Sequence, residues 1–555
     1  MVKPKIDFLK KYSFALFLFF ALSTAFNVNA QLNSVILGRP TDTSITASVL
    51  FDQSAQFYIE YGTASGNYTN VTPTVSSIVS TPDEVTLSNL IANTNYYYRV
   101  RYKAPSASTF SASQEYSFHT QRPSGSSFVF TIEADEHLYD KKGVDNMYKV
   151  TLANQALDKP DFMLSLGDIF GDDHYPTTIT PGKLDTLHRN YRPFLGSICH
   201  SIPFYVCLGN HEGENDYYMA QNPPNNLCIW ATQSRQKYYP NPYPNGFYSG
   251  NSQFESYGIG NPENYFAWKW GNALFVVLDV YRDQCDTSEK PQKWDWSLGL
   301  PQYTWLKNTL ENSNAQFKFV FAHHVRGQGR GAATNANYFE WGGYEQNGTN
   351  YTFPTKRPGW AKPIHQLFKD NGVNIFFQGH DHLFAHEILD GITYQEVPMA
   401  ADSTYEIGML ANADAYTSDT LDGTGHLRVT VTNTCVKVDF VRAYLPQDTV
   451  SGIHKNREVA FSYTIGTDCP TKVNEVNGSG IDVSVFPNPV HDKLFIRTNN
   501  SGLKHKSRLI NSLGQQICET ESSELDVRKI ADGMYFLHTT IGTQKSIQKV
   551  VISHP

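Results

Sequence analysis

The sequence predicts an α/β domain carried between two β-sandwiches, and three observations predict it. Residues 33–120 alternate apolar and polar positions in short runs, ITASVLF, QFYIEYG, DEVTLSNL, NYYYRVRY and QEYSFHT, parted by Gly, Ser, Thr and Asn. From Phe128 the runs become continuously apolar and alternate with helix-patterned segments. After Ile481 short strand-like runs return between Pro and Gly turns. Alternation fits strands buried on one face. Unbroken apolar strands followed by helices fit a sheet covered on both faces.

Taken in order, Lys3, Lys5, Lys10 and Lys11 precede the apolar run FALFLFFALSTAF, and NVNAQ follows with Val28 and Ala30 at a cleavage-like site. That is the order of a secretory signal peptide, expected over residues 1–30. The run is shorter than the about 20 residues a transmembrane helix needs, and no later run is longer, so no transmembrane segment is expected. The first sandwich is expected over residues 31–121, with QRPSGSS from Gln121 as a linker. The α/β domain is expected over residues 122–465. Its strands are FVFTIEADEH, DFMLSLGD, IPFYVCLGNHE, FKFVFAHH and VNIFFQGHDH, and its helices include GVDNMYKVTLANQAL, LPQYTWLKNTLENS and WAKPIHQLFKDNG. GHLRVTVTNTCVKVDFVRAYL then completes a sheet. A polar linker at 466–480 leads to a small terminal β-sandwich at 481–555.

Composition narrows the function. The net charge is −8 and no basic stripe stands out, which argues against duplex nucleic acid as a partner. Aromatic residues reach 14%, which suits a β-rich exported protein. None of the seven cysteines forms a C-x-x-C pair, so a zinc ribbon is not supported. Without Cys518, in the terminal segment, an even number remains, compatible with disulfides in an exported chain.

Each apolar strand of the α/β domain ends in polar residues: Asp135 and His137, then Asp168, then Asn210, His211 and Glu212, then His323 and His324, then His380 and His382. Any one cluster is weak evidence, because Gly-Asp turns and strand-end histidines are common. Ligand sites in such folds gather at the carboxyl ends of strands, and all five clusters fall there. Burying so many polar groups unpaired would be costly, and metal ions would satisfy them. Mixed Asp, Asn and His donors suit Zn, Fe, Mn or Co rather than an all-oxygen Ca or Mg site.

The ordered set D-x-H, G-D, G-N-H-E, H and G-H-x-H resembles the calcineurin-like metallophosphoesterase superfamily. With LIANTNYYYRVR resembling a fibronectin type III strand signature, the chain is similar to the purple acid phosphatase branch. The resemblance implies an α/β sandwich of two mixed sheets flanked by helices. It implies two metal ions per chain, Fe, Zn or Mn. One would be held by Asp135, His137, Asp168 and His382, the other by Asp168, Asn210, His323 and His380. His211 would act at the leaving group, with Glu212 fixing its ring. A water made nucleophilic between the ions would attack phosphorus, making the chain a phosphomonoesterase, or alternatively a phosphodiesterase acting on nucleotides or lipid head groups. An inactive surface binding protein is the remaining alternative, and the intact ligand set argues against it. His324, Arg326 and Arg330 are candidate contacts for a small phosphorylated substrate. One departure matters. The tyrosine ligand of purple acid phosphatases would stand at Gly171, while His137 is present, so no purple colour is expected unless Tyr175 reaches the site.

The terminal segment resembles the C-terminal sorting domain of the type IX secretion system, through FPNP, LINSLGQ, DGMYFL and QKVVI. That implies the secretion machinery as a partner and a secreted or cell-surface location.

Overall fold

The computed structural model describes residues 30–554 except 139–142, 170–177, 285–292, 328, 408–414, 470–482, 499–504, 512–515 and 542–543. The expected signal peptide up to residue 29, the stretch from Gly171 to Tyr175 and Cys285 lie outside the described residues. Two compact units divide the chain, Met1–Cys469 and Pro470–Pro555.

The first unit contains two mixed sheets packed face to face. One runs in the order Phe204–Val206, Phe162–Ser165, Phe128–Glu133, Gly425–Val431, Cys435–Arg442, Val459–Gly466. Its first three strands are parallel and the rest antiparallel. The other is centred on Ala273–Val277, Phe317–Phe321, Ile375–Gln378 and Ile392–Glu396, all parallel. Phe128, Phe130 and Phe162 of the first sheet meet Phe275, Phe319, Phe321 and Phe377 of the second in one buried core. Phe130 and Phe275 pack edge to face with ring centroids 5.1 Å apart, a favoured aromatic geometry. The period of two sends Phe319 and Phe321 inward and Val320 outward, where helix Gly299–Glu311 covers it with Leu306 and Leu310. Helices Asp145–Leu157 and Pro181–Gly196 cover Met163 of the first sheet through Tyr148, Leu152, Tyr191 and Leu195.

The three quoted helical segments form helices, although the third is short. It spans Ile364–Asp370, because Pro363 occupies the N-cap and its ring fixes an extended entry. Two long helices were not singled out in the sequence, Pro181–Gly196 and Leu227–Tyr238. Both begin on legible signals. Thr180 caps the first, with Pro181 as its first helical residue, and the Asn226 side chain accepts from Ile229 N in the second at 3.0 Å.

Residues 32–119 form a β-sandwich of a three-stranded and a six-stranded sheet around Val35, Leu37, Val49, Phe57, Ile59 and Tyr98. It packs on the α/β part through polar contacts. Arg192, fully buried, donates to Ser34 Oγ at 3.1 Å and to Ser48 O at 2.9 Å, and Tyr98 donates to His200 O at 2.6 Å.

Cys435 and Cys469 form a disulfide, tying the end of the unit to the start of an inner strand. Cys199 and Cys207 are buried free thiols, so the even count does not mean that every cysteine is paired. Cys199 lies against Met163 Sδ at 3.5 Å, packed as a small apolar side chain.

The second unit is β-rich by itself. Val483, Leu494 and Ile496 of a three-stranded sheet share a core with Leu509, Leu537 and Val550 of a four-stranded one. Among the described residues no helix is long and apolar enough to cross a membrane.

Candidate metal centre

The five strand-end clusters converge. Asp135, His137 and His382 bring one ligand atom each within 4.8 Å of one another, as do Asp168, His323 and His380, and also His137, Asp168 and His211. Asp168 Oδ2 lies 3.1 Å from His323 Nε2, 3.7 Å from His137 Nε2 and 3.8 Å from His211 Nε2. Asp168 thus stands between the two histidine groups. His380 and His382, one residue apart, fall into different groups.

The backbone accepts strain to do this. Asp135, His137, Asp168, His380 and His382 all have positive φ, between 42° and 80°. Side chains rarely adopt that region, and such residues gather at functional sites. The loops are cross-tied to hold it. Asp135 N donates to Gly167 O at 3.0 Å, His137 N to Asp168 O at 3.2 Å, and His380 N to Asp135 Oδ2 at 2.8 Å. Two glycines of the motifs are there for space. A Cβ on Gly379 would meet Asp135 Oδ2 at 2.6 Å, and one on Gly209 would meet Asp168 Oδ1 at 2.2 Å.

The donor set fits metal ions. Asp135 Oδ1 is buried without a hydrogen-bond partner, yet His382, His137 and His323 present Nε2 to it at 3.4, 3.8 and 3.9 Å. Imidazole nitrogens also face each other: His137 Nε2 and His382 Nε2 at 3.1 Å, His380 Nδ1 and His323 Nε2 at 3.2 Å. An unsolvated carboxylate oxygen ringed by nitrogens that point at one another is a donor arrangement that a cation would complete. The field is strong. Burial alone would raise Asp168, but the imidazoles of His323, His211 and His137 hold its carboxyl well below the usual carboxylate range. Burial opposes the charge on His323, but Asp168 and Asp135 push it up to about 9.

The remaining expected residues take distinct places. Asn210 Oδ1 accepts from Tyr281 OH at 3.5 Å, on the His323 side. His211 has its backbone N on Asp168 Oδ1 at 2.8 Å and its ring edge-on to His137. Glu212 was expected to fix the His211 ring, and the structure gives its carboxylate another task. It accepts from Asp168 N at 2.9 Å, Ile169 N at 3.0 Å and Gly209 N at 2.5 Å, locking two site loops together. His324 stacks on His380 with centroids 4.1 Å apart. Arg330 is not a free clamp. It pairs with Asp381 at 2.9 Å and donates to His380 O, bracing the turn between the two histidines. Arg326 lies over the rings of Tyr281 and Trp296.

Several supporting residues went unread in the sequence. Asp381 also accepts from Tyr416 OH at 2.6 Å and Gly331 N at 2.7 Å, while its own N donates to Glu396 Oε1 at 2.9 Å. A sixth polar cluster follows strand Ala273–Val277. There Asp279 Oδ1 accepts from Tyr281 N at 2.8 Å and orients Tyr281 toward Asn210. The run ALFVVLDVYRD carries the same signal as the other five, an apolar strand ending in charge.

Comparison with known proteins agrees with this geometry. Residues 129–384 match the family model described as calcineurin-like phosphoesterase, and residues 484–553 match the secretion system C-terminal sorting domain. No curated protein matches. Among solved structures, that of PhoD is similar over 78% of this chain and 90% of its own, at 16% identity and a TM-score of 0.55, a likeness of fold. GAP50, the anchor in the inner membrane complex of Plasmodium, matches over 61% of this chain and 89% of its own at 14% identity, with a TM-score of 0.33. The chain therefore carries a calcineurin-like phosphoesterase domain, that of metal-dependent phosphoester hydrolases, and a type IX sorting domain at its C-terminal end that marks it for export.

Proposed function

We propose that this chain is an exported binuclear phosphoesterase that hydrolyses phosphomonoesters. The observation that carries the reading is the pair of buried carboxylates, Asp135 and Asp168, ringed by histidine nitrogens that face one another. Asp135, His137, Asp168 and His382 would hold one ion. Asp168, Asn210, His323 and His380 would hold the other, with Asp168 shared. Fe, Zn or Mn would match these mixed donors. Two bound ions would polarise phosphoryl oxygens and supply a nucleophilic water at neutral pH.

The chain's own residues do the rest. His211, seated on Asp168 through its backbone N–H, gives the leaving oxygen its proton. Glu212 keeps Asp168 and Gly209 at fixed separation through their amides, so that the ring does not drift. Asp381, braced by Arg330 and Tyr416, holds the turn that presents His380 and His382. Residues 1–30 act as the signal peptide. The N-terminal sandwich is of the fibronectin type III kind, and the terminal domain addresses the chain to the type IX machinery and is removed on export.

The test uses purified protein with chromogenic monoester and diester substrates, before and after chelation, alongside elemental analysis. Monoester turnover should vanish on chelation and return with added metal. Metal-loaded protein that turns over neither ester would sink the reading.

A further inference from the structure

Of the two arginines beside the centre, one is already committed and one is not. Arg330 is neutralised by Asp381 at 2.9 Å. Arg326 has no carboxylate within ion-pair distance among the described residues. Its Nη1 meets His324 Nε2 at 3.3 Å, and its Nε is buried without a hydrogen-bond partner. Yet it is held firmly. Its guanidinium carbon lies 3.4 Å from the ring centroid of Trp296 and 4.2 Å from that of Tyr281. Planar guanidinium stacks well on aromatic faces and loses little freedom when it then binds an oxyanion.

The stack is wired into the centre. Tyr281 OH reaches Asn210 Oδ1 at 3.5 Å, and its ring lies 5.9 Å from that of His324. His324 in turn stacks on His380. A half-buried cation with one buried, unpartnered donor and no paired acid favours an anion that arrives to complete it.

We propose that Arg326 is the specificity-determining cation of this site, receiving a terminal oxygen of a phosphomonoester dianion and so favouring monoesters over diesters. This rests on the phosphoesterase reading above. A monoester offers three terminal oxygens and a second negative charge. A diester offers two and one. An uncommitted guanidinium discriminates on that difference, because charge-assisted contacts to a dianion are the stronger.

The experiment measures kcat/KM for a monoester and a diester with the metal-loaded enzyme and with Arg326→Met, which refills the slot between the rings. Inhibition by inorganic phosphate and metal content are read in parallel. Monoester kcat/KM should fall by about 10²-fold, with diester turnover and metal content little changed. Phosphate inhibition should weaken by about tenfold or more. Arg326→Ala should regain monoester turnover when millimolar guanidinium is added, which a merely structural role would not allow. Equal losses on both esters, or unchanged phosphate inhibition, would overturn the assignment. Wild-type enzyme that turned over neither ester would instead remove the phosphoesterase reading itself, and this inference with it.

Discussion

One loop of the molecule serves two buried polar centres that are built on opposite principles. His211 faces the candidate metal centre beside His137 and Asp168. Three residues on, Glu214 is equally buried but closed. Its Oε1 accepts from Arg235 Nε at 2.6 Å, and its Oε2 from Thr232 Oγ1 at 2.9 Å and Arg235 Nη2 at 3.1 Å. Arg282, also bonded to Thr232 and paired with Glu255, completes the charge balance. On the other side, Asp135 Oδ1 has no donor and the imidazoles point at each other. A network with every partner in place specifies a fold. One with acceptors gathered and donors missing specifies a ligand.

Substitutions should separate the two centres. The largest effect is expected at Asp168. Asp168→Asn should drop phosphoester turnover to background and empty or distort both ion sites, read by elemental analysis. His211→Ala comes next. Turnover should fall by about 10²–10⁴-fold while both metals stay. Loss of both metals from that variant, with Asp168→Asn keeping them, would reverse the assignment of roles.

On the closed side the cost should be stability. Glu214→Ala leaves Arg235 buried without its acid, and should lower unfolding free energy by about 3–5 kcal/mol in denaturant titrations. Its metal content should be that of the wild type. A variant that kept its stability and lost its metals would merge the two centres into one.

The smallest effect tests another closed network at the end of helix Asp145–Leu157. Burial alone would raise Asp158, but His426, Arg428 and Arg457 hold its carboxyl down to about 2. A depressed carboxylate stabilises above its unfolded value of about 4, and that contribution is lost as pH falls through about 2. Asp158→Asn should therefore cost about 2 kcal/mol at neutral pH, and the gap from wild type should close toward pH 2. A gap that stayed constant with pH would show that charge is not its source.

The metal centre was more legible than the network that supports it, for a physical reason. Asp135, His137, Asp168, His323, His380 and His382 each follow an apolar run, so periodicity located them at one edge of the sheets. Asn210 carries the same signal. Glu214, Arg235 and Arg282 come from a loop, a helix and a strand end with no common spacing, and only the fold brings them together. The hydrogen bonds of Glu212 were not legible, because its neighbour in sequence is His211, whereas its carboxylate accepts from amides of another loop. The α/β packing was readable from the unbroken apolar strands, whereas the two mixed sheets were implied by the resemblance. Strand Ala273–Val277 and Tyr281 beyond it were passed over, although ALFVV ends in charge like the rest. Arg326 and Arg330 look alike in VRGQGRG, and only the position of Asp381 tells them apart.

The account stands or falls on what the open centre holds. The most direct measurement is the metal-to-protein ratio of purified, buffer-exchanged protein by elemental analysis, with His211→Ala and Asp168→Asn beside it. Two ions per chain are predicted for the wild type and for His211→Ala, with loss in Asp168→Asn. A wild-type chain that bound no metal after reconstitution, or held the same ions without Asp168, would contradict it.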